Sequence, residues 1–342
     1  MGEQTPQRTP FFSVLLVLRN EEAYIGRLLE QVLNQQRHGF EMELIVVDGH
    51  STDNTREIVR SYQQKHSIIK LVDNPKQTLP VGWNLAIKEA SGEYVLRIDG
   101  HTSIPDDFLL RYAKVIRKQP DADVVGGIIE SKGEGAQGCI NEYVYSHPFG
   151  VGNSKFRTLA SDQVWEGFVD TVPYGAYKRS VFQEVGYFNE RLKRNEDLEF
   201  HKRMRAAGKT FFLSTTICST YYVRSTIGGL IDKSLGDGMW TIIANRVTPG
   251  SLGNRHKAPL FAFIAGLALL VASFFHSGFA LFFALCVIAY IGASAYASIG
   301  FVRKKGWKWW LPCMGTFFCL HFFRGYGSFK AFFTKAYWTA GR

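Results

Sequence analysis

Two kinds of apolar pattern alternate along the first 130 residues. Residues 12–18 (FSVLLVL) form a continuous apolar run, expected of a strand buried on both faces. Residues 23–32 then space their apolar side chains at helical intervals, with Asn20 placed to cap that helix. A second apolar strand, 44–47, ends in Asp48, and Ser51 or Asp53 is placed to cap the next helix. Residues 68–72 predict a third strand, 79–90 a helix, and 94–98 a fourth strand ending in Asp99. Pro105 suits the first turn of a further helix. This alternation predicts an α/β domain with a mostly parallel sheet covered by helices.

The C-terminal third follows a different pattern. Residues 258–302 carry no formal charge when His276 is neutral. The stretch is long enough for two spans of roughly 20 apolar residues each, about 258–275 and 279–302, broken at His276-Ser277-Gly278. A core hairpin of a soluble protein is the alternative, and the uncharged run is longer than ordinary core helices need. A third apolar segment, about 309–323, contains Pro312 and has basic residues at both ends, which fits an interfacial segment as well as a span.

Charge sharpens this division. The chain has 342 residues and a formal net charge of +10, yet residues 238–342 hold eleven Lys and Arg and no Asp or Glu. The basic excess therefore belongs to the apolar third. Cationic flanks on apolar segments favour an anionic membrane surface, whereas a nucleic-acid groove needs a basic face on a soluble fold. Nucleic acid is accordingly not an expected partner, and membrane lipids are. Arg255 and Lys257 before the hairpin and Arg303-Lys304-Lys305 after it predict a multi-pass protein of the cell (inner or plasma) membrane, with its catalytic part on the cytoplasmic side. The N-terminal ten residues show no apolar signal-peptide core, and the five cysteines form no CxxC pair, so neither a cleaved leader nor a zinc or disulfide framework is expected.

In parallel sheets, ligands bind beyond the carboxyl ends of the strands. Asp48 and Asp99 stand at two such ends, ahead of the helix-capping candidates. No GxGxxG or GxxxxGK[ST] loop follows the first strand, so a bound diphosphate needs a metal or cationic side chains. Asp99-Gly100-His101 can supply that metal, because residues two apart project the same way from extended chain. Carboxylate oxygens suit Mg²⁺, and an added imidazole shifts the preference towards Mn²⁺. Further on, RNEDLEFH (194–201) opens an amphipathic stretch that stops at Gly208. Acids in a first helical turn are favoured by the helix dipole alone. They also suit a base that removes a hydroxyl proton beside a metal-held leaving group.

Five segments coincide with one known pattern: FFSVLLVLRNEE, LIVVDGHSTDNT, GEYVLRIDGHTSIPDDFL, VDTVPYGAYKRSVFQEVGYFNE and RNEDLEFHKRMRAAG. Over roughly residues 11–240 the chain resembles family 2 glycosyltransferases, and among them the ExoA-like exopolysaccharide (succinoglycan-type) subgroup. The resemblance implies a GT-A (nucleotide-diphospho-sugar transferase) fold followed by a C-terminal transmembrane helical region, and an inverting, metal-dependent mechanism. By motif position, Asp48 binds the nucleobase, Leu18, Arg19 and Glu21 line the nucleoside pocket, and Asp99 faces the ribose and diphosphate. The divalent metal (Mn²⁺ or Mg²⁺) sits at His101 with Asp99, and Asp197 is the general base with Glu196 beside it. Lys76 and Asn84 are candidates near the diphosphate, and Trp165, Asp170, Tyr174 and Trp240 on the acceptor side. Two departures stand out. The usual DxD is DGH here, and of the processive QxxRW only Trp240 is recognisable, which points to addition of a single sugar.

The expected organisation is an N-terminal tail (1–10), a catalytic domain (11–225), an interfacial linker (226–257) and a membrane region (258–342). The expected activity is transfer of one hexose, glucose foremost, from a nucleotide sugar, UDP foremost, to a polyprenyl-diphosphate-linked saccharide during surface glycan assembly. Transfer to polyprenyl monophosphate is the enzymatic alternative. A catalytically silent, nucleotide-sensing membrane subunit of a synthase complex is the alternative from another class.

Overall fold

The structure, a computed structural model, describes residues 9–340. Of the expected tail 1–10, residues 1–8 lie outside the described residues. The chain divides into two compact units, one of residues 1–130 and 159–221, the other of residues 131–158 and 222–342.

The first unit is built on a mixed sheet. Its strands are β1 (Phe11–Leu18), β2 (Glu41–Asp48), β3 (Ile69–Asp73), β4 (Tyr94–Asp99), β5 (Thr102–Ser103), β6 (Val124–Lys132), β7 (Glu166–Val169), β8 (Ala176–Lys178) and β9 (Phe211–Tyr222). Their order is β3-β2-β1-β4-β8-β6-β9-β5, and β7 also pairs with β9. The four strands predicted from the apolar runs are β1 to β4. They pair in parallel, with Leu18 beside Asp48 and Val17 beside Asp99. That register brings the carboxyl ends of β1, β2 and β4 level, which is where α/β sheets bind ligands. Beyond β4 the pairing turns antiparallel, through β8 and β6 and again where β5 and β7 meet β9. Strands β5 to β9 come from the stretch where the apolar pattern is least regular.

Burial explains the apolar runs. Phe12, Val14, Leu15 and Leu16 are wholly buried, so helices cover both faces of β1. Each such side chain contributes roughly 1.5–3 kcal/mol relative to exposure. The helix Glu22–Leu33 buries Ile25, Leu28, Leu29 and Val32, the spacing of one helical face. Its cap differs from expectation: Glu21 is the N-cap, while Asn20 stands in the left-handed region at φ 57. The helix expected at Pro105 begins at Phe108, whose amide donates to the Pro105 carbonyl.

The second unit is helical. Helices Asn254–Ser273 and Ser277–Lys305 are long and apolar enough to cross a membrane, and their most apolar stretches are only 0% and 6% buried. That exposure sets them apart from the core helices of a soluble protein. The third apolar segment lies in the helix Trp310–Ala331, which does bury part of its surface, including Cys313, Phe317 and Leu320. It packs on the helix Ile227–Val247 through glycines: a Cβ at Gly238 would fall 2.2 Å from the Arg324 carbonyl oxygen, and one at Gly327 2.3 Å from that of Leu235. Small residues at such contacts let helix backbones approach where apolar burial offers little drive.

Candidate active site

The loops after β1 and β2 form one unit. Asn20 Oδ1 accepts from the Thr52 amide at 2.8 Å, and Ser51 Oγ accepts from the Asn20 amide at 2.9 Å. Asp53 accepts from the amides of Thr55 (3.0 Å) and Glu22 (3.2 Å), so it serves the starts of two helices at once. Against the upward push of desolvation, hydrogen bonds from Thr55 and Glu22 hold its pKa below the ordinary value.

Asp48 lies at the centre of this pair of loops and is 0% exposed. Its carboxylate accepts from Ser51 Oγ at 2.6 Å and from Arg56 Nη1 at 3.1 Å. Arg56 also holds Asp73 at 2.5 Å. Ser51 and Arg56 thus fix the Asp48 carboxylate at the base of the joined β1 and β2 loops. Leu18 is 2% exposed, and its carbonyl accepts from the Gly49 amide at 2.8 Å. Arg19 is exposed beside it.

After β4, Asp99, Gly100 and His101 meet the β1 loop. His101 Nδ1 lies 3.4 Å from Glu21 Oε1, and the imidazole stands edge-on to Tyr221. Tyr174 Oη donates to Asp99 Oδ2 at 3.3 Å and accepts from Thr102 Oγ1 at 2.8 Å. A Cβ at Gly100 would come within 2.7 Å of Leu18 Cδ2 and 3.1 Å of Glu21 Cγ, so glycine is what lets Glu21 approach His101.

No group of three or more His, Cys, Asp and Glu side chains is preassembled around a metal-sized space among the described residues. Mg²⁺ and related ions are typically held by one or two carboxylates together with substrate phosphates and water. Asp99 with His101, and Glu21 beside the imidazole, fit a metal that arrives with a diphosphate rather than a closed protein cage.

The acid-rich segment joins this site through a cation. Arg97 lies two residues before Asp99 on β4 and therefore projects to the same face. Its Nη2 meets Glu196 Oε1 at 3.0 Å, and both side chains are nearly buried (11% and 5% exposed). The guanidinium is clamped between the rings of Trp83 and Phe188, with centroids at 4.4 and 4.6 Å. Glu196 opens the helix Glu196–Ala206, preceded by Asn195 in the left-handed region. Burial pushes the Glu196 carboxyl up to about 7, against the Arg97 guanidinium and with a further push from Asp197. Asp197 itself is exposed, with Oδ1 accepting from the Leu198 amide at 2.8 Å. One turn later His201 is buried between Thr171 Oγ1 (2.7 Å from Nδ1) and Tyr177 Oη (2.6 Å from Nε2). Desolvation lowers its pKa to about 4, so the ring is neutral at physiological pH.

The remaining candidates divide. The Asn84 amide is buried, donating to the Phe188 carbonyl (2.9 Å) and Glu190 (3.2 Å) and accepting from the Phe188 amide (3.0 Å), so it holds the loop that carries Phe188 and Glu190. Lys76 pairs with the same Glu190 at 3.0 Å from an exposed position. Tyr174 belongs with Asp99 rather than with a separate acceptor patch. The Trp165 amide donates to Thr215 Oγ1 at 2.8 Å and its carbonyl accepts from the Thr215 amide at 3.0 Å, at the end of the β7–β9 ladder. Asp170 is exposed, its carbonyl accepting from Arg205 at 2.5 Å. Trp240 lies in the helix Ile227–Val247 of the second unit and is 9% exposed.

Arg97, Arg56 and His201 were absent from the predicted site. The first had a signal, since it is the one cation in the apolar strand YVLRID. Four site loops also carry a non-glycine residue in the left-handed region: Asn20, His50, Tyr174 and Asn195, at φ 57, 55, 42 and 58. Such conformations cost about 1–3 kcal/mol each and gather where surrounding structure imposes them, often at functional sites.

Comparison with known proteins agrees with this geometry. The sequence model of glycosyl transferase family 2 matches residues 13–186, which takes in most of β1, all of β2 to β4 and the loops that carry Asp48 and Asp99, and ends before Glu196 and Asp197. This chain belongs to glycosyltransferase family 2. As a family 2 glycosyltransferase it is 30% identical, over 67% of its own length and 72% of the relative's, to a dolichyl N-acetyl-α-D-glucosaminyl phosphate 3-β-D-2,3-diacetamido-2,3-dideoxy-β-D-glucuronosyltransferase of Methanococcus voltae. It is 26% identical to the succinoglycan biosynthesis protein ExoA of Rhizobium meliloti, over 69% and 72% of the two chains. In structure this glycosyltransferase resembles the mannosyltransferase PcManGT of Pyrobaculum calidifontis, solved with GDP-Man and Mn²⁺, at a TM-score of 0.62 and 18% identity over 96% and 89% of the chains. The expected GT-A fold is thereby established, and so is the exopolysaccharide-type relationship.

Proposed function

We propose that this family 2 glycosyltransferase moves one hexose from a UDP-sugar to a polyprenyl-diphosphate-linked saccharide, with inversion, while its C-terminal helices anchor it to the cytoplasmic face of the cell membrane. The observation that carries the proposal is the buried Arg97–Glu196 pair, which ties the helix bearing Asp197 to the strand ending in Asp99. A carboxylate exposed to an acceptor and a carboxylate–imidazole site for a diphosphate thus share one scaffold. The anchoring rests on the two exposed apolar helices. The lipid-linked acceptor is supported by the relative from Methanococcus voltae, whose name specifies a dolichyl-phosphate-linked sugar.

In the proposed mechanism the donor's base and ribose lie against the joined β1 and β2 loops, with Arg19 at their exposed edge and Asp48 and Arg56 fixing the loop behind them. Asp99 and His101 would hold the divalent metal, with Glu21 orienting the imidazole. When bound, that metal neutralises the diphosphate and stabilises the departing nucleoside diphosphate. The acceptor hydroxyl oxygen attacks the anomeric carbon on the face opposite the diphosphate. The new carbon–oxygen bond forms as the bond to the phosphate oxygen breaks, the electron pair leaves with the nucleoside diphosphate, and the hydroxyl proton passes to Asp197. Glu196 stays paired with Arg97 and holds Asp197 in place.

Removing a positioned general base costs roughly 10²–10⁴ in rate. Asp197→Asn is therefore expected to lower kcat for sugar transfer in that range while UDP still stabilises the protein thermally. The assay uses membrane lipid extract, Mn²⁺ and a panel of nucleotide sugars. Undiminished transfer by Asp197→Asn would remove Asp197 from the role of base.

A further inference from the structure

The second unit contains a cavity of about 350 Å³, lined by residues from the helix Ile227–Val247, the segment after it, the start of Asn254–Ser273 and the C-terminal residues 332–337. Its lining includes two cations, Arg246 and Lys257, the amide of Asn245, and the aromatic rings of Phe261, Phe332 and Tyr337, with no acid among the lining residues. No Asp or Glu occurs anywhere from residue 238 onward. The Arg246 guanidinium lies over the Tyr337 ring at 5.6 Å, which limits where its charge can point. Both cations are solvent-exposed at the cavity edge, and Phe261 is 64% exposed.

We infer that this cavity is a binding site for the phosphate head of an anionic glycerophospholipid, with its acyl chains running along the helix Asn254–Ser273. Charge and apolarity together select this occupant. Two cations without a neighbouring acid call for an anion. That anion is bordered by a helix with no buried residue, which is long and apolar enough to face lipid. A free anion would gain nothing from Leu260, Phe261 and Phe332, and a neutral lipid nothing from Arg246 and Lys257. A headgroup phosphate with an attached chain uses both, and the volume falls in the range of ordinary small-ligand sites. The inference rests on the membrane anchoring in the proposed function and is independent of the transfer chemistry.

The test uses full-length protein, purified in detergent and delipidated, then titrated with phosphatidylglycerol or phosphatidylcholine and read by native mass spectrometry. One phosphatidylglycerol per chain is expected, held in preference to phosphatidylcholine. Arg246→Ala with Lys257→Ala should weaken binding roughly thirtyfold, each cation near an anionic surface contributing about fivefold. Arg246→Lys with Lys257→Arg should bind close to the wild type. Equal retention of the two lipids, or undiminished binding by a folded alanine double variant, overturns the inference. Should that variant fail to fold, phosphatidylglycerol with a photoreactive headgroup on the wild type decides the matter. Crosslinks within residues 242–261 and 332–337 support the site, and labelling confined to other segments overturns it. Polyprenyl monophosphate is the competing source of a lipid phosphate. If it binds stoichiometrically where phosphatidylglycerol does not, the assigned occupant is wrong.

Discussion

Asp197 is exposed, whereas Glu196, one position earlier, is buried against Arg97. Solvent therefore separates two adjacent acids into a carboxylate that can meet a substrate and one that holds the helix in place. Breaking a buried pair from one side leaves an uncompensated charge and costs about 3–5 kcal/mol. Arg97→Met is expected to approach that loss in thermal or denaturant unfolding, reduced to the extent that Glu196 takes up a proton. The Arg97→Met, Glu196→Gln double variant should recover part of it. A double variant as unstable as the sum of the two singles would mean that the residues do not act as a pair. His201 provides a separate handle. Its pKa is depressed to about 4 in the folded protein by burial, against about 6.5 when unfolded. The unfolded chain thus binds more protons between these values. Stability is then fully present above about 6.5 and falls as the pH drops towards about 4, by up to the order of 3 kcal/mol. His201→Gln should flatten the acid limb of the unfolding midpoint against pH, and an unchanged limb would contradict this assignment.

At the scale of elements, function depends on how closely the loops approach one another. Glu21 ends the β1 loop and His101 follows β4, and Gly100 lets them meet. Gly100→Ala places a methyl group against Leu18 and Glu21 and should displace the Glu21 carboxylate from His101. Losing an orienting partner of a metal-binding imidazole typically costs 10–100-fold in metal affinity. A weakening of Mn²⁺ binding of about tenfold is therefore expected in titration calorimetry with UDP present. Unaltered affinity would show that Glu21 does not orient the ring. β1 and β2 were legible in the sequence because burial on both faces gives each a continuous apolar run, while β3 and β4 showed as shorter apolar stretches interrupted by Lys70 and Arg97. The antiparallel half was not, because β5, β7 and β8 are only two, four and three residues long, too short to show a period.

At the scale of the whole molecule, two properties should separate experimentally. The proposed metal dependence predicts that chelation with EDTA abolishes sugar transfer and that added Mn²⁺ restores it; transfer that persists after exhaustive chelation would contradict it. Membrane attachment predicts that the chain stays in the membrane pellet through an alkaline carbonate wash and leaves only with detergent, since the two exposed apolar helices are long enough to cross a bilayer. Release by carbonate alone would mean that these helices do not span. The charge asymmetry bears on the second property. A catalytic part almost balanced in charge and an acid-free C-terminal third put the basic excess in the part of the chain that holds the two apolar helices, as attachment to an anionic surface requires.

The sequence by itself determined the parallel strands, the strand-end acids Asp48 and Asp99, the acid-rich start of the Glu196–Ala206 helix and the apolar hairpin. Each of these depends on periodicity or on neighbours a few residues away. Only the tertiary structure decided which acids are accessible. Asp48 is sealed by Ser51 and Arg56, Asn84 is spent on the Phe188 backbone, and Asp197 remains exposed. It alone showed that Arg97 joins the strand ending in Asp99 to the helix that carries Asp197 across 99 positions of chain. It also returned residues 131–158 to the C-terminal unit, a placement that no local pattern marks. The physical reason is common to all of these. Burial, ion pairing and the pKa values that follow from them are set by contacts between segments distant in sequence, and a local pattern carries no record of those contacts.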